Sequence, residues 1–469
     1  MKIAVTGCAL LLLLSAAHAA EAPTGPLLNL SADQRDTWSA PRAGWDVAPS
    51  VPAQETLTWT AFIREVLSAN LDYAAARYDV DMAAADAAAA KLLPNPQLSL
   101  GGDRDLSFHN TYGPGANGQP ALLRQVESRS IGFDQTIETG GKRKWRSRVA
   151  DQNLRANAAT LDDFLRNLKL DAACAYVDAL AAQSAVERLR TSATFLANLS
   201  HAQEKRLAAG DIGKPDLTQA QLEQAQFEND LAKAEADAET ARLMLATFLG
   251  RNRGQTDFSV TGTLDPTAPE HDLSSVIADA LKRRPDLIAL RHARDAADSG
   301  VELAKAARIP DLDVSLGYAH NGGVALNHPV DPTPAFNQLT VGISVPIPLF
   351  DRGQYQVAKA YAASAQAQDR LAAAELRAEV GIRTAETQYR SARQRLDGFR
   401  NGILQSADAL LDAKRLSYQR GAATLLELIE VQRSTNEIRQ DYAQALADAA
   451  KATIEFERAA GVDQALTFE

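Results

Sequence analysis

KLLPNPQLSLGG at residues 91–102 and RIPDLDVSLGY at residues 308–318 share one pattern: a helical run stopped by proline, followed by an alternating strand. Pro94 recurs as Pro310, and three more landmarks recur around it in the same order, Asp72 as Asp286, Gly132 as Gly342 and Gly210 as Gly421. Each pair is separated by roughly 210 residues, so the chain is a tandem duplication of a unit too large for a solenoid repeat.

Each unit reads helix, strand, strand, long helix, tight turn, helix. In the first, the spacing predicts an opening helix over 57–93, ended by Pro94 and Pro96, and strands over 97–108 and 128–139. Ile131, Phe133 and Ile137 alternate there with Gly132, Asp134 and Thr136, giving one apolar face and one small or polar face. Val314, Leu316 and Tyr318, then Leu339, Val341, Ile343, Val345 and Ile347, repeat the alternation in the second unit. Gly-, Pro- and Asn-rich stretches at 109–120 and 321–334 read as hairpin loops. The long helices are predicted over 142–209 and 354–420, about 100 Å each if unbroken, which no compact domain accommodates. The returning helices carry small and apolar residues at 3-4 spacing from Leu217 to Phe248 and from Leu428 to Phe456. Opening and returning helices are each about half the long one, so two stacked end to end match its length and suggest a tube.

Composition fits thin walls. The 469 residues are 46% apolar but only 6% aromatic, and roughly 90 are alanine, which packs helices closely without filling a thick core. A formal charge of −10 argues against nucleic acid as a partner. Residues 1–19, with Lys2, an apolar run to Leu14 and the small stretch Ser15 to Ala19, read as a signal peptide cleaved after Ala19. Cys8 lies at the start of that run, the wrong place for a lipid anchor, and Cys174 alone remains, read as a small core residue. The divisions are therefore a signal at 1–19, an extended segment at 20–56 along the outside of the tube, repeats at 57–270 and 271–461, and a tail at 462–469.

Beyond the signal, no apolar run is long enough for a membrane helix, yet the four strands have the length to cross an outer membrane. Four strands cannot close a barrel, and an open edge cannot stand in lipid. Other copies must complete them: three copies give twelve strands, two give eight. The alternative of another class, a soluble periplasmic coiled-coil scaffold, leaves the repeated hairpins unexplained.

On these features the chain resembles the TolC family of outer-membrane channel-tunnel proteins over nearly all of residues 57–461. The resemblance implies a mainly α fold with a membrane β-barrel: a homotrimer, a twelve-stranded barrel in outer-membrane lipid, and a coiled-coil tunnel in the periplasm. It implies a passive exit duct, with no enzyme activity and no cofactor, served by a periplasmic adaptor and an inner-membrane RND pump. QTIETGGKRKWR at 135–146 is similar to a form found in the heavy-metal cation-efflux branch. A conduit for type I protein secretion shares the architecture and stays open.

Both helix turns place a glycine six residues before an acid and a leucine: Gly210 before Asp216 and Leu217, and Gly421 before Glu427 and Leu428. Helix capping explains this spacing, since glycine permits the left-handed end and the acid favours the next helix's N-terminus. The resemblance adds that the turns form the periplasmic tip, which docks the adaptor and opens like an iris. Glu427 and Glu430 share a helix face and match an acidic entrance ring; three copies would gather six carboxylates, favour cations and raise some pKa values. Tyr418 and Asp216 match a Tyr and an Asp whose hydrogen bond holds the entrance closed. Ala423 stands where the arginine of a second link would be. Seven histidines form no H-x-x-x-H pair, and there is no nucleophile elbow or Walker A loop, so no metal or catalytic site is read. The basic run Lys142, Arg143, Lys144, Arg146 and Arg148 reads as a membrane-interface collar.

Overall fold

Helices in this chain end where a residue either lacks a backbone donor or tolerates the left-handed region, and those residues fix the element order. The computed structural model describes residues 55–104, 113–114, 120–121, 127–251, 258–264, 272–321 and 335–462, all within the unit Ala53–Glu469. The signal at 1–19, residues 20–54 of the extended segment, most of both hairpin loops and residues 463–469 of the tail lie outside the described residues.

The first unit runs β1 (Glu55–Thr58), α1 (Trp59–Ala69), α2 (Leu71–Ala89), β2 (Gln97–Arg104), two-residue strands β3 (Gly113–Pro114) and β4 (Pro120–Ala121), β5 (Glu127–Ile137), α3 (Lys142–Ala209) and α4 (Lys214–Phe248). After β6 (Phe258–Thr261), the second runs α5 (Leu273–Arg283), α6 (Pro285–Ala307), β7 (Leu312–Asn321), β8 (Phe336–Ser344), α7 (Gln354–Gly398), a π-helical segment (Phe399–Ile403), α8 (Leu404–Gln419) and α9 (Leu425–Ala460).

Two predicted helices are interrupted. The opening helix over 57–93 is instead β1, α1 and α2, because Asn70 leaves the helical region at ψ 121°. Its Oδ1 accepts from the Tyr73 amide at 2.9 Å, capping α2, while its Nδ2 donates to the Phe248 carbonyl at 3.2 Å. The helix over 354–420 breaks in the π segment, where Asn401 is non-helical and Gly402 sits at φ 136°. Asn-Gly is a turn dipeptide, and α3, which has none, runs its 68 residues unbroken. Strand β5 ends at Ile137 rather than 139, because Gly140 and Gly141 turn the chain at φ 66° and 75°.

β2, β5, β7 and β8 form one antiparallel sheet in that order, leaving β2 and β8 as open edges. Register aligns Leu98, Phe133, Leu316 and Val341 in one row and Leu100, Ile131, Tyr318 and Leu339 in the next. Among the described residues nothing covers this apolar face: Leu100 is 75% and Ile343 70% exposed. The opposite face is made of small and polar residues apart from Phe336 at the loop end of β8, with Ser99, Gly132, Gly317 and Thr340 in register. A Cβ on Gly132 would lie 2.4 Å from Ser99 Oγ, and one on Gly342 2.5 Å from Ser315 Oγ, so both units repeat the same serine-over-glycine step.

Below the sheet, the half-length helices meet end to end. The Asn70 bond joins α2 to the end of α4, and Arg284 Nη1 donates to the Ala459 carbonyl at 2.6 Å, joining α6 to the end of α9. The parallel pair β1 and β6 lies beside the first junction, with Leu57 opposite Val260. Fully buried Tyr176 of α3 fastens it, placing its hydroxyl 3.0 Å from the Leu57 carbonyl and 2.7 Å from that of Thr261. Trp59 and Phe62 pack on the Tyr176 ring at 5.4 Å. Cys174 packs half-buried on this core, and burial first of all pushes its thiol up to about 11.

Candidate functional site

Two regions carry the residues singled out by sequence: the elbow between sheet and helices, and the turns at the far end. At the elbow, Gln135 Nε2 donates to the Pro94 carbonyl at 3.0 Å. Glu138 pairs with Arg146, whose guanidinium also donates to the Ala90 and Leu92 carbonyls at 3.1 Å each. Lys142 pairs with Asp311 at 2.8 Å. A Cβ on Gly140 would sit 2.8 Å from the Ala306 carbonyl oxygen, so this position needs glycine for space as well as for φ. The QTIETGGKRKWR run is thus committed to joining β5, α2, α3 and the start of β7. Gly140→Ala is expected to lower unfolding stability by about 2 kcal/mol, read as a shifted urea midpoint. Lys144 and Arg148 stand 5.4 and 5.8 Å from the Trp145 ring centre, a basic and aromatic cluster below the strands.

At the far end, Gly210 (φ 82°) and Gly421 (φ 73°) terminate α3 and α8 in left-handed caps. Asp216 Oδ2 accepts from the Gly213 amide at 3.4 Å, and Thr424 Oγ1 accepts from the Glu427 amide at 3.3 Å, so each returning helix is capped by its own turn. Tyr418 Oη accepts from Gln203 Nε2 at 2.6 Å and from Arg206 Nη1 at 3.0 Å. Tyr418 and Asp216 share no hydrogen bond within the chain: the acid is engaged by its cap and the tyrosine by α3. Glu427 and Glu430 are both exposed on α9, and Lys414 holds Glu427 at 3.0 Å. That hydrogen bond, then the lysine's charge, keeps the Glu427 carboxyl below the usual glutamate range, the opposite direction from like-charge repulsion. Leu217 is half-buried and Leu428 only 2% exposed. Leu428 falls three and four residues from Leu425 and Gln432, on the inward face of α9, so it offers no surface to a partner; Leu426 beside it is 46% exposed.

The family model described as outer membrane efflux protein matches residues 62–251 and 276–462, one block in each unit. The chain belongs to the outer membrane efflux protein family. The cobalt-zinc-cadmium resistance protein CzcC of Cupriavidus metallidurans is 25% identical over 435 residues, 92% of this chain and 96% of CzcC. The pyoverdine export outer membrane protein OpmQ of Pseudomonas putida is 28% identical over 474 residues, 94% of each chain. Among solved structures, CusC superposes with TM-score 0.68 at 21% identity, over 88% of this chain and 97% of CusC. The CmeC outer membrane channel of Campylobacter jejuni superposes at 0.70 with 15% identity, over 86% and 85%. The protein is an outer-membrane efflux channel of the TolC type.

This efflux protein carries tip residues that spacing alone did not single out. Gln203 and Arg206 lie two turns and one turn before Gly210, three apart and on one face of α3, which is the signal that pairs them. Arg415 covers the Phe195 ring at 4.6 Å and donates to buried Gln432 at 2.9 Å, a polar layer above the turns. Among the described residues, no group of three His, Cys, Asp or Glu side chains is placed to hold a metal ion. His109 and His328 lie outside the described residues.

Proposed function

We propose that three copies of this efflux protein close a twelve-stranded barrel and form the exit duct of a tripartite system, fed by an inner-membrane RND pump through a periplasmic adaptor. The observation that carries this reading is the agreement between sheet and helix order. Helix α2 packs on α3, α3 on α6, and α6 on α7, and the strands that join them run β2, β5, β7, β8. One flank therefore ends in α2 and β2, the other in α7 and β8. α2 leaves Leu71, Tyr78 and Met82 exposed, and α7 leaves Leu376 and Val380. Two unlike flanks joined head to tail generate a ring, and twelve strands are an even number in the range of membrane barrels.

Divalent heavy-metal cations are the cargo this reading favours. Its support is the likeness to CzcC and to the nickel and cobalt resistance protein CnrC of the same species, 28% identical over 67% of this chain and 69% of CnrC. The elbow run speaks for kinship with those relatives, since its residues are occupied in holding sheet to helices. A strain lacking this gene, compared with one complemented by it, should lose growth on zinc, cobalt, nickel or cadmium. Unchanged tolerance to all four would remove the metal assignment.

At the tip, Leu217 and exposed Leu426, with the turns at Gly210 and Gly421, are the contacts offered to an adaptor. The closing link is Tyr418 with Gln203 and Arg206, tying α8 to α3, and Glu427 and Glu430 form the entrance ring. Tyr418→Phe keeps the ring in place and removes the acceptor, so single-channel conductance in planar bilayers is expected to rise. Asp216→Ala is expected to cost about 1 kcal/mol of helix capping and leave conductance near wild type. A conductance raised by Asp216→Ala and not by Tyr418→Phe would reverse this wiring.

A further inference from the structure

The exposed apolar face does not stop where the strands stop. Ile137 at the end of β5 is still exposed, and below β8 the run continues through Ile347, Leu349 and Phe350, the last 95% exposed. At that level both units turn basic. Arg143, Lys144 and Arg148 are exposed in the first, and Arg308, Arg352 and Lys359 in the second. Among the described residues, none of these six cations is ion-paired. The acids of the elbow are engaged elsewhere: Glu138 by Arg146, Asp311 by Lys142, Asp151 by Lys91, and Asp351 by the Gly353 amide.

Strand and helix periods fix the side on which the first cluster stands. Glu138 and Asp311 continue the parity of Thr136 and Asp313, the polar face of the sheet, so Arg146 and Lys142 turn toward that side. An α-helix advances about 100° per residue, which puts Lys144 and Arg148 on the opposite side of α3, beneath the apolar face. Half-buried Trp145 lies between them, its ring 5.4 Å from the lysine and 5.8 Å from the arginine. Exposed Tyr355 and Lys359, one turn apart at the start of α7, repeat the pairing of aromatic and cation. From Lys142 to Arg148 the helix rises about 9 Å, against a headgroup layer of about 5–8 Å on each side of a bilayer.

We infer that the elbow binds anionic phospholipid of the periplasmic leaflet, its cations meeting the headgroups while Trp145 and Tyr355 sit at the edge of the acyl region. The inference rests on the barrel proposed above, in which the apolar face meets lipid. Charge decides the class of lipid. A zwitterionic headgroup carries its own ammonium, whereas an anionic one brings a net charge to cations that no acid of this chain neutralises.

The test is quenching of tryptophan fluorescence in full-length protein reconstituted into vesicles of brominated phosphatidylglycerol, brominated phosphatidylcholine, or their mixtures with the unbrominated lipids. Trp59 is buried at the β1 and β6 junction, and the difference between wild type and Trp145→Phe isolates the elbow signal. The Trp145 signal is expected to report binding of phosphatidylglycerol about fivefold or more tighter than of phosphatidylcholine. Lys144→Gln with Arg148→Gln should bring the two lipids close to equal. Lys205→Gln with Lys233→Gln removes the same charge from the tunnel helices and should keep the wild-type ratio. Equal binding of both lipids by wild type, an unchanged ratio in the elbow variant, or a ratio lost in the tunnel variant overturns the inference. Millimolar inorganic phosphate should leave the ratio unchanged, and its loss there would assign the cations to a free anion instead. Protein that does not insert into vesicles overturns the barrel reading, a separate result. Should the double variant fail to assemble, Arg148→Gln alone decides: a lowered ratio supports the inference and an unchanged one contradicts it.

Discussion

Thr340→Pro and Val341→Pro are each expected to abolish the detergent-resistant oligomer. The two residues are adjacent on β8, opposite Gly317 and Leu316 of β7. Along a strand, successive backbone N–H groups point to opposite sides, so one of the two bonds to β7 and the other points away from the sheet. Proline removes the N–H in either case. On a free edge the outward position tolerates proline, and only one of the two variants would be harmed. If the outer edge of β8 is paired with β2 of a neighbouring copy, both substitutions delete a ladder bond in lipid, where no water replaces it. Semi-native gels of membrane extracts should show the oligomer band in wild type and its near-complete loss in both variants. Retention of the band in either variant would mean that this edge stays open.

Tyr176→Ala is expected to destabilise the protein by about 4 kcal/mol, since it empties a fully buried aromatic site and strands two carbonyls. Tyr176→Phe keeps the packing and removes only the hydroxyl, for about 1–3 kcal/mol. Denaturant unfolding of the purified protein measures both, and equal losses in the two variants would show that packing contributes little. Burial pushes the Tyr176 hydroxyl up to about 12, against an ordinary value of 10.0. The folded state therefore favours the protonated tyrosine. That stabilisation is complete below pH 10.0 and is lost as pH rises toward 12, so wild type should become alkali-sensitive in a window where Tyr176→Phe does not.

The elements legible in the sequence are those whose signal is local. Pro94 and Pro310, the alternation from Ile131 to Ile137, and the cap glycines Gly210 and Gly421 each report their own neighbourhood, and the duplication reports it twice. The β1 and β6 pair was not legible, because two four-residue strands lying about 200 residues apart in sequence have no hairpin to announce them. Asn70 sits in an alanine- and leucine-rich helical pattern, and its role as a cap becomes evident only when the end of α4 arrives to accept its amide. The break at Asn401 and Gly402 carried a local signal, the turn dipeptide, which the surrounding heptad-like spacing masked. At the tip, the residue types were readable and their partners were not. Tyr418 has a choice between an acid one turn beyond the glycine and an amide and a guanidinium on α3, and tertiary packing makes that choice. Leu428 and Leu426 differ by two residues on one helix, which separates an inward from an outward direction that a turn motif does not specify.

A closed duct depends on the number of copies that join β2 to β8. Native mass spectrometry of the protein extracted from outer membranes in mild detergent counts them directly. Three chains per particle is the predicted result, with the complex lost in Thr340→Pro and Val341→Pro; a particle of two chains, or a folded monomer that remains in the membrane, would contradict it.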